Sequence, residues 1–290
     1  MVESVAQKTI LITGSRGQLG KELQKLDYQL PGCQFLFTSS DLPIENFQAV
    51  KDYFEQRQID VCINCAAYTA VDKAESEKEL AFLVNADSVG NLAKICSQHQ
   101  STFIHISTDY VFDGTSETPY TEEHSISPVN IYGASKLKGE DLALNNNAST
   151  VIIRTSWLYS SYGHNFVKTM LRLMNERPVL NVVNDQFGCP TYAADLAQVI
   201  INISGKAGFP GGIVNYANDG ITTWYDFAVA IKEYSKSSCV IQAVPSSQFP
   251  TPAKRPKYSV LDTSKIRGLL DLDIPYWKDS LYSCLDLLVQ

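Results

Sequence analysis

Short apolar runs alternate with stretches of helical spacing through the first half of the chain. Lys8–Thr13 (KTILIT) is apolar in its interior and ends at a glycine, the pattern of a strand buried on both faces. Leu19, Leu23 and Leu26 follow at helical spacing, and Phe35–Thr38 reads as a second strand. Phe47–Gln56 carries Phe47, Val50 and Phe54 on one helical face. Asp60–Cys65 is a third strand, Ser76–Gln98 one long helix, and Thr102–Ser107 (TFIHIS) a fourth strand. Asn130–Leu144 is helical and Ser149–Arg154 extended. Strand and helix in strict alternation predict a parallel sheet covered on both faces, with right-handed crossovers.

After Arg154 the rhythm loosens. Gly163–Met174, Tyr192–Ile203 and Thr223–Tyr234 are predicted as helices, and Leu269–Gln290 as ordinary terminal packing. The clusters Gly208–Gly212 and Phe249–Pro256 read as loops joining a smaller lobe. The expected fold is therefore α/β, a Rossmann-type doubly wound parallel sheet with a smaller, interleaved C-terminal lobe. Residues 1–154 form the sheet domain, with a later contribution from about 184–215. Residues 155–290 supply most of the second, discontinuous lobe.

Composition narrows the classes of partner. The chain has 290 residues, 44% hydrophobic and 19% charged, with a net charge of -7, enough to bury a full core. An acidic balance disfavours general binding to nucleic acid or to an anionic membrane. No uninterrupted apolar stretch approaches a membrane span, and Met1–Gln7 does not read as a signal peptide. The seven cysteines are odd in number and sit mostly in apolar runs, which predicts free buried thiols and a cytoplasmic location. Cys62 and Cys65 form a C-x-x-C, but an odd separation on a strand points the two thiols to opposite faces. A shared metal is not expected there.

Gly14-Ser15-Arg16-Gly17-Gln18-Leu19-Gly20 lies between the first strand and the first helix. Glycines in that place let the backbone turn tightly and approach a pyrophosphate, and the helix N-terminus offers free N–H groups. The carboxylate that would bind an unphosphorylated ribose is missing at the end of the second strand, where Phe37-Thr38-Ser39-Ser40 stands and Asp41 comes slightly later. Arg16 inside the loop is suited to a 2′-phosphate. NADP(H) is thus expected ahead of NAD(H).

Tyr132 and Lys136 lie four apart, on one face of the predicted helix. An ammonium beside a phenol favours phenolate and eases proton transfer near neutrality, as reduction of a carbonyl requires. Thr108 directly follows the fourth strand. Its hydroxyl is expected in the crevice at the carboxyl ends of the strands, where it could orient a substrate carbonyl.

On these segments the chain resembles the dTDP-4-dehydrorhamnose reductase family of extended short-chain dehydrogenases/reductases, over nearly its full length. The resemblance is carried by GSRGQLG at 14–20, NCAAYTAVDKAES at 64–76, STDYVFDG at 107–114, PVNIYGASK at 128–136, RTSWLY at 154–159, NFVKTMLRL at 165–173 and NDQFGCPT at 184–191. It implies Tyr132 as proton donor, Lys136 as its partner and ribose anchor, and Thr108 as carbonyl ligand. Gly14, Arg16, Gly17, Gln18, Leu19, Asp41, Leu42, Ala67, Tyr68 and Thr69 would contact the cofactor. Thr108, Asp109, Trp157 and Arg255 would contact a nucleotide sugar, with Arg255 the preferred cation for its diphosphate.

The implied reaction is NADPH-dependent reduction of the C4 ketone of dTDP-4-dehydro-β-L-rhamnose to dTDP-β-L-rhamnose. Two alternatives stay open: a non-catalytic cofactor-binding subunit of the kind that regulates methionine adenosyltransferase, and a sibling nucleotide-sugar reductase or epimerase. Some family members bridge a homodimer through magnesium. Here Glu22 matches one ligand, but no acid stands between Pro190-Thr191 and Asp195. No metal ligand is assigned, and the homodimer stays open.

Overall fold

A computed structural model describes residues 8–289; the reading of Met1–Gln7 lies outside the described residues. The sheet domain begins with β1 (Lys8–Thr13), α1 (Gln18–Gln24), β2 (Cys33–Phe37), α2 (Phe47–Glu55) and β3 (Val61–Asn64). The short helices α3 (Val71–Ala74) and α4 (Lys78–Phe82) follow, and a π-turn at Leu83–Asp87 leads into α5 (Ser88–Gln98). Next come β4 (Thr102–Thr108), α6 (Ile131–Asn146) and β5 (Thr150–Thr155). The expected single helix over 76–98 thus starts two residues late and carries a local underwound turn.

The remainder comprises β6 (Leu158–Tyr159), α7 (Phe166–Glu176), β7 (Val179–Val183), β8 (Phe187–Gly188), β9 (Thr191–Tyr192), α8 (Ala193–Gly205), β10 (Gly212–Asn215) and β11 (Thr222–Thr223). The chain ends with α9 (Trp224–Ser235), β12 (Val240–Val244), α10 (Ser264–Leu270) and α11 (Trp277–Leu285). Six strands form one sheet in the order β10-β5-β4-β3-β1-β2, every pair parallel.

Alternation along each strand sends side chains to two cores. Ile10, Ile12, Ile63, Ile104 and Ile153 pack with Leu19 and Leu23 of α1 and with Leu196, Ile200 and Ile203 of α8. Leu11, Cys62, Phe103 and Ile152 point the other way, onto Val50 and Phe54 of α2 and Leu92 and Cys96 of α5. Burial of each such side chain stabilises the fold by roughly 1.5–3 kcal/mol. A third core joins Met170 and Met174 of α7, Phe227 and Ile231 of α9 and Leu281 of α11 over the β7–β12 pair.

Three expectations of the second half are corrected. The glycine cluster at 208–212 does not remain a loop throughout, because Gly212 opens β10, which pairs with β5 from Val151 to Arg154. Strands β7 and β12 pair in parallel from Val179↔Val240 to Val183↔Val244. Each is half-exposed, so neither shows the apolar run of a buried strand. Leu269–Gln290 is not featureless packing, since it holds the end of α10 and all of α11.

All seven cysteines are free, and five of them are buried. Cys62 belongs to one core and Cys65, just beyond β3, lies against the other.

Candidate active site

The carboxyl ends of β1, β3, β4 and β5 open on a cleft of about 600 Å³, roofed by the second lobe. Gly14 has φ 65, and a Cβ there would lie 2.5 Å from the Ala66 nitrogen, so this turn requires glycine. Gly17 precedes α1 with no side-chain cap. The first N–H groups of the helix are therefore available where Gly17, Gln18, Leu19 and Gly20 line the cleft. That cradle fits a pyrophosphate. Arg16 is exposed beside it, and its Nη1 donates to Ser40 Oγ at 2.8 Å. This pair places a guanidinium and a hydroxyl at the end of β2, where Asp41 instead accepts from the Ser39 N–H at 2.8 Å.

Of the remaining residues expected at the cofactor, Ala67 and Thr69 line the cleft. Gly14 lies behind it as the turn itself. Leu42 is a core residue. Tyr68 turns away, its N–H bonded to Asn85 Oδ1 at 2.8 Å and its hydroxyl donating to Glu77 at 2.6 Å.

Helix α6 starts where Asn130 accepts from the Gly133 N–H at 2.7 Å, a side-chain N-cap. The cap fixes the phase of the helix, and Tyr132 and Lys136 both line the cleft. Lys136 is fully buried; its Nζ donates to the Ile106 carbonyl at 2.6 Å and lies 3.1 Å from His105 Nε2. Burial pushes this ammonium down to about 8, with Glu140 and Cys65 opposing the shift.

The expected depression of the Tyr132 phenol by Lys136 is corrected. Tyr132 is partly open to the cleft, yet burial pushes its phenol up to about 12, Asp109 adding and the Thr108 hydroxyl opposing. Desolvation of the phenolate is the largest cause.

Thr108 and Asp109 are buried at the end of β4. Thr108 Oγ1 accepts from the Tyr110 N–H at 3.2 Å and donates to Asp109 Oδ1 at 3.0 Å. Asp109 Oδ2 is buried without a partner. Burial lifts this carboxyl to about 7 against hydrogen bonds from Ser259 and Thr108. Ser107 and Arg154 both donate to Glu140, Arg154 in a buried two-pronged pair with a 2.7 Å contact, which locks α6 against β4 and β5.

The opposite wall is aromatic. Trp157 takes φ 48, a left-handed conformation costly for a bulky residue. Its indole stacks on Trp224, ring centroids 3.6 Å apart and 9° from parallel. The sequence reading named Trp157 but missed Trp224, Ser156, Leu158, Gly163 and His164, all of which line the cleft. Ser156 and Leu158 flank Trp157 in the RTSWLY segment after β5, while Trp224 arrives from α9 and Gly163 and His164 from the turn before α7.

Arg255 is not among the cleft-lining residues. Its two Nη atoms hold the two carboxylate oxygens of Asp72, each at 2.9 Å. Glu22, named for a metal bridge, is buried; it accepts from Ser160 Oγ at 2.6 Å and pairs with Lys25 at 3.1 Å. Among the described residues no group of three or more His, Cys, Asp or Glu is arranged to hold a metal ion, and no helix is long and apolar enough to cross a membrane.

Comparison with known proteins agrees with this geometry. Residues 8–290 match the family described as the RmlD substrate binding domain. The dTDP-4-dehydrorhamnose reductase of Aggregatibacter actinomycetemcomitans is 40% identical over 287 residues, covering 94% of this chain and 96% of that protein. The crystal structure of a dTDP-4-dehydrorhamnose reductase from Clostridium acetobutylicum superposes with a TM-score of 0.92 at 41% identity, covering 97% of this chain and 100% of that one. The reductase from Bacillus anthracis, solved in complex with NADP, gives a TM-score of 0.92 at 37% identity, over 97% of this chain and 99% of that one. The glycine turn, the Thr108–Tyr132–Lys136 cleft and these full-length similarities together show that the chain belongs to the RmlD family of dTDP-4-dehydrorhamnose reductases.

Proposed function

We propose that the protein reduces the C4 ketone of dTDP-4-dehydro-β-L-rhamnose with NADPH, giving dTDP-β-L-rhamnose. The observation that carries the reading is the meeting of Thr108, Tyr132, Lys136 and Trp157 on one cleft, in a chain 40% identical to reductases of that name.

NADPH, when bound, supplies the hydride that C4 receives. The protein's part is to hold the carbonyl and deliver a proton to its oxygen. Tyr132 is the proton donor, and Thr108 binds and orients the same oxygen by turning its one hydroxyl hydrogen, donated to Asp109 Oδ1 in this structure, onto the carbonyl while the Tyr110 N–H holds Oγ1 in place. Lys136 stands one turn along from Tyr132 and returns a proton to the phenolate that proton donation leaves. Gly14, Gly17, Gln18 and Leu19 form the pyrophosphate cradle, Arg16 with Ser40 meets the 2′-phosphate, and Ala67 and Thr69 flank the nicotinamide half. Trp157, held by its stack on Trp224, lines the cleft beside the C–H groups of the sugar, and Asp109 faces its polar edge.

Residues up to 154, with about 184–215, form the cofactor domain, and most of 155–290 forms the sugar lobe. The seven free cysteines fit a reducing compartment, which we take to be the cytoplasm.

The purified protein, given NADPH and the keto-sugar nucleotide, should consume NADPH and release dTDP-β-L-rhamnose in equal amounts. Tyr132→Phe should lower kcat by about 10²–10⁴. No turnover in the wild type, or an unchanged kcat in the variant, overturns the reading.

A further inference from the structure

A line of buried polar groups runs behind Lys136, in a sheet that is otherwise apolar. Parallel register sets Thr13 beside Asn64 and Asn64 beside His105 across β1, β3 and β4. Thr13 Oγ1 donates to Asn64 Oδ1 at 2.6 Å, Asn64 Nδ2 lies 3.0 Å from His105 Nδ1, and His105 Nε2 lies 3.1 Å from Lys136 Nζ. Asn64 and His105 are completely buried, and Thr13 and Lys136 nearly so.

The direction of each hydrogen bond in this line can be worked out from its fixed end. The backbone N–H of Ala66 points at Asn64 Oδ1, at 3.2 Å. A backbone N–H is only a donor, so that atom is the amide oxygen and the atom facing His105 is the NH₂. His105 Nδ1 therefore accepts. A neutral imidazole that accepts at Nδ1 carries its hydrogen on Nε2, and burial holds His105 neutral, well below its ordinary pKa. The Nε2–H then points at Lys136 Nζ. An amine nitrogen has a lone pair to receive that hydrogen, whereas an ammonium has none.

We propose that His105 is a positioning residue for Lys136: held by Asn64 as the Nε2–H tautomer, it donates to Nζ and favours the amine over the ammonium. The proposal rests on reading Tyr132 and Lys136 as the proton-transfer pair. Among the groups that face Nζ, His105 is the donor whose tautomer is fixed from behind, by Asn64. Glu140, on the same helix, favours the ammonium but is paired with Arg154 of β5. Cys65, beyond the end of β3, acts in the same sense as Glu140. The Ile106 carbonyl accepts in either state, and Tyr132 lies one turn before. His105 thus opposes Glu140 and Cys65 from behind. It holds the proton affinity of the pair lower than the charge of Glu140 alone would set it, so a proton that reaches Nζ is passed on rather than stored.

The direct test is the tautomer of His105 in the wild-type protein, read by long-range ¹H–¹⁵N NMR. The chain has four histidines, and the His105 signals are assigned as those missing in His105→Gln. A neutral Nε2–H imidazole that does not titrate between pH 6 and pH 9 is expected. An Nδ1–H tautomer, or titration to imidazolium in that window, overturns the proposal whatever the protein reduces.

The kinetic test is the alkaline limb of kcat for reduction. Asn64→Asp keeps an oxygen for Ala66 and places a second one against His105, reversing the line so that Nε2 accepts from Nζ. His105→Gln can present its amide oxygen to Nζ. In both, the limb should move to higher pH by about one unit, a tenfold rise in proton affinity. An unmoved limb in a variant that still binds NADPH overturns the proposal, and the wild-type NMR decides it if neither variant folds.

Discussion

Gly188 lies flat against the indole of Trp157: a Cβ at position 188 would stand 2.6 Å from the ring carbon Cε2. With Trp224 stacked on the other face at 3.6 Å, the ring is gripped on both sides. This grip accounts for a tryptophan held at φ 48, a conformation that persists only where its surroundings impose it. Gly188→Ala should push the indole aside and raise KM for the keto-sugar nucleotide by about 10–100-fold while leaving NADPH affinity unchanged. Steady-state kinetics and a cofactor titration on one preparation separate the two effects.

Arg16 and Ser40 make the cofactor preference a local matter. Their 2.8 Å contact joins the glycine loop to the end of β2, where Asp41 Oδ1 accepts from the Ser39 N–H. Arg16→Ala should cost about 1.5–3 kcal/mol with NADPH, the worth of a hydrogen bond to a charged group, which is at least tenfold in KM. NADH should be affected far less. Equal losses with both cofactors would remove Arg16 from the 2′-phosphate site.

The ion pair between Asp72 and Arg255 ties α3 to the 253–258 segment, helped by the Ala253 N–H donating to Asp72 at 3.2 Å. Arg255 holds the Asp72 carboxyl below the usual carboxylate range, and the Ala253 bond assists against burial. Because the pKa is lowered on folding, the contribution is present above the unfolded value and is lost as pH falls through the folded one. Asp72→Asn should therefore lower Tm at pH 7 by an amount worth at most about 1 kcal/mol, given its exposure. The gap from wild type should close below about pH 4. A gap that persists in acid would mean the asparagine disturbs packing rather than charge.

Asp109 titrates in the opposite sense. Lifted to about 7 by burial, it binds a proton in the folded state where the unfolded chain has already released one. Stability thus declines as pH rises from about 4 to about 7, and the cost is complete above that window. Asp109→Asn removes this component. Urea unfolding of both proteins between pH 5 and pH 8 should show wild type losing ground to the variant as pH rises, and parallel curves would contradict the buried-carboxyl reading.

The legible parts of the chain were those in which one local pattern has one meaning. Strands β1, β3, β4 and β5 are buried along nearly their whole length, so their apolar runs stood out, and the glycine turn between β1 and α1 has few other uses. Tyr132, Lys136 and Thr108 were found because a helix start and a strand end fix where their side chains go. What stayed hidden depends on contacts distant in sequence. Strands β7 and β12 are short and half-exposed, and they are identified only by their pairing from Val179↔Val240 to Val183↔Val244. Trp224 gains its meaning from Trp157. Arg255, chosen for its charge, is paired with Asp72, which lies 183 positions away. His105 sits in an apolar strand and reads as core until the register sets it beside Asn64.

The place of β10 also bears on how the molecule is made. Its four residues are the last to join the sheet, pairing Gly212 with Val151 and Asn215 with Arg154. A nascent chain that has just completed β5 therefore exposes a bare strand edge, able to pair with any other extended chain, until about 60 further residues have left the ribosome. The residues before β5 and those after it cannot mature one after the other. The fold closes only when the second half returns a strand to the first, so the protein is one synthesis and folding unit despite its two lobes.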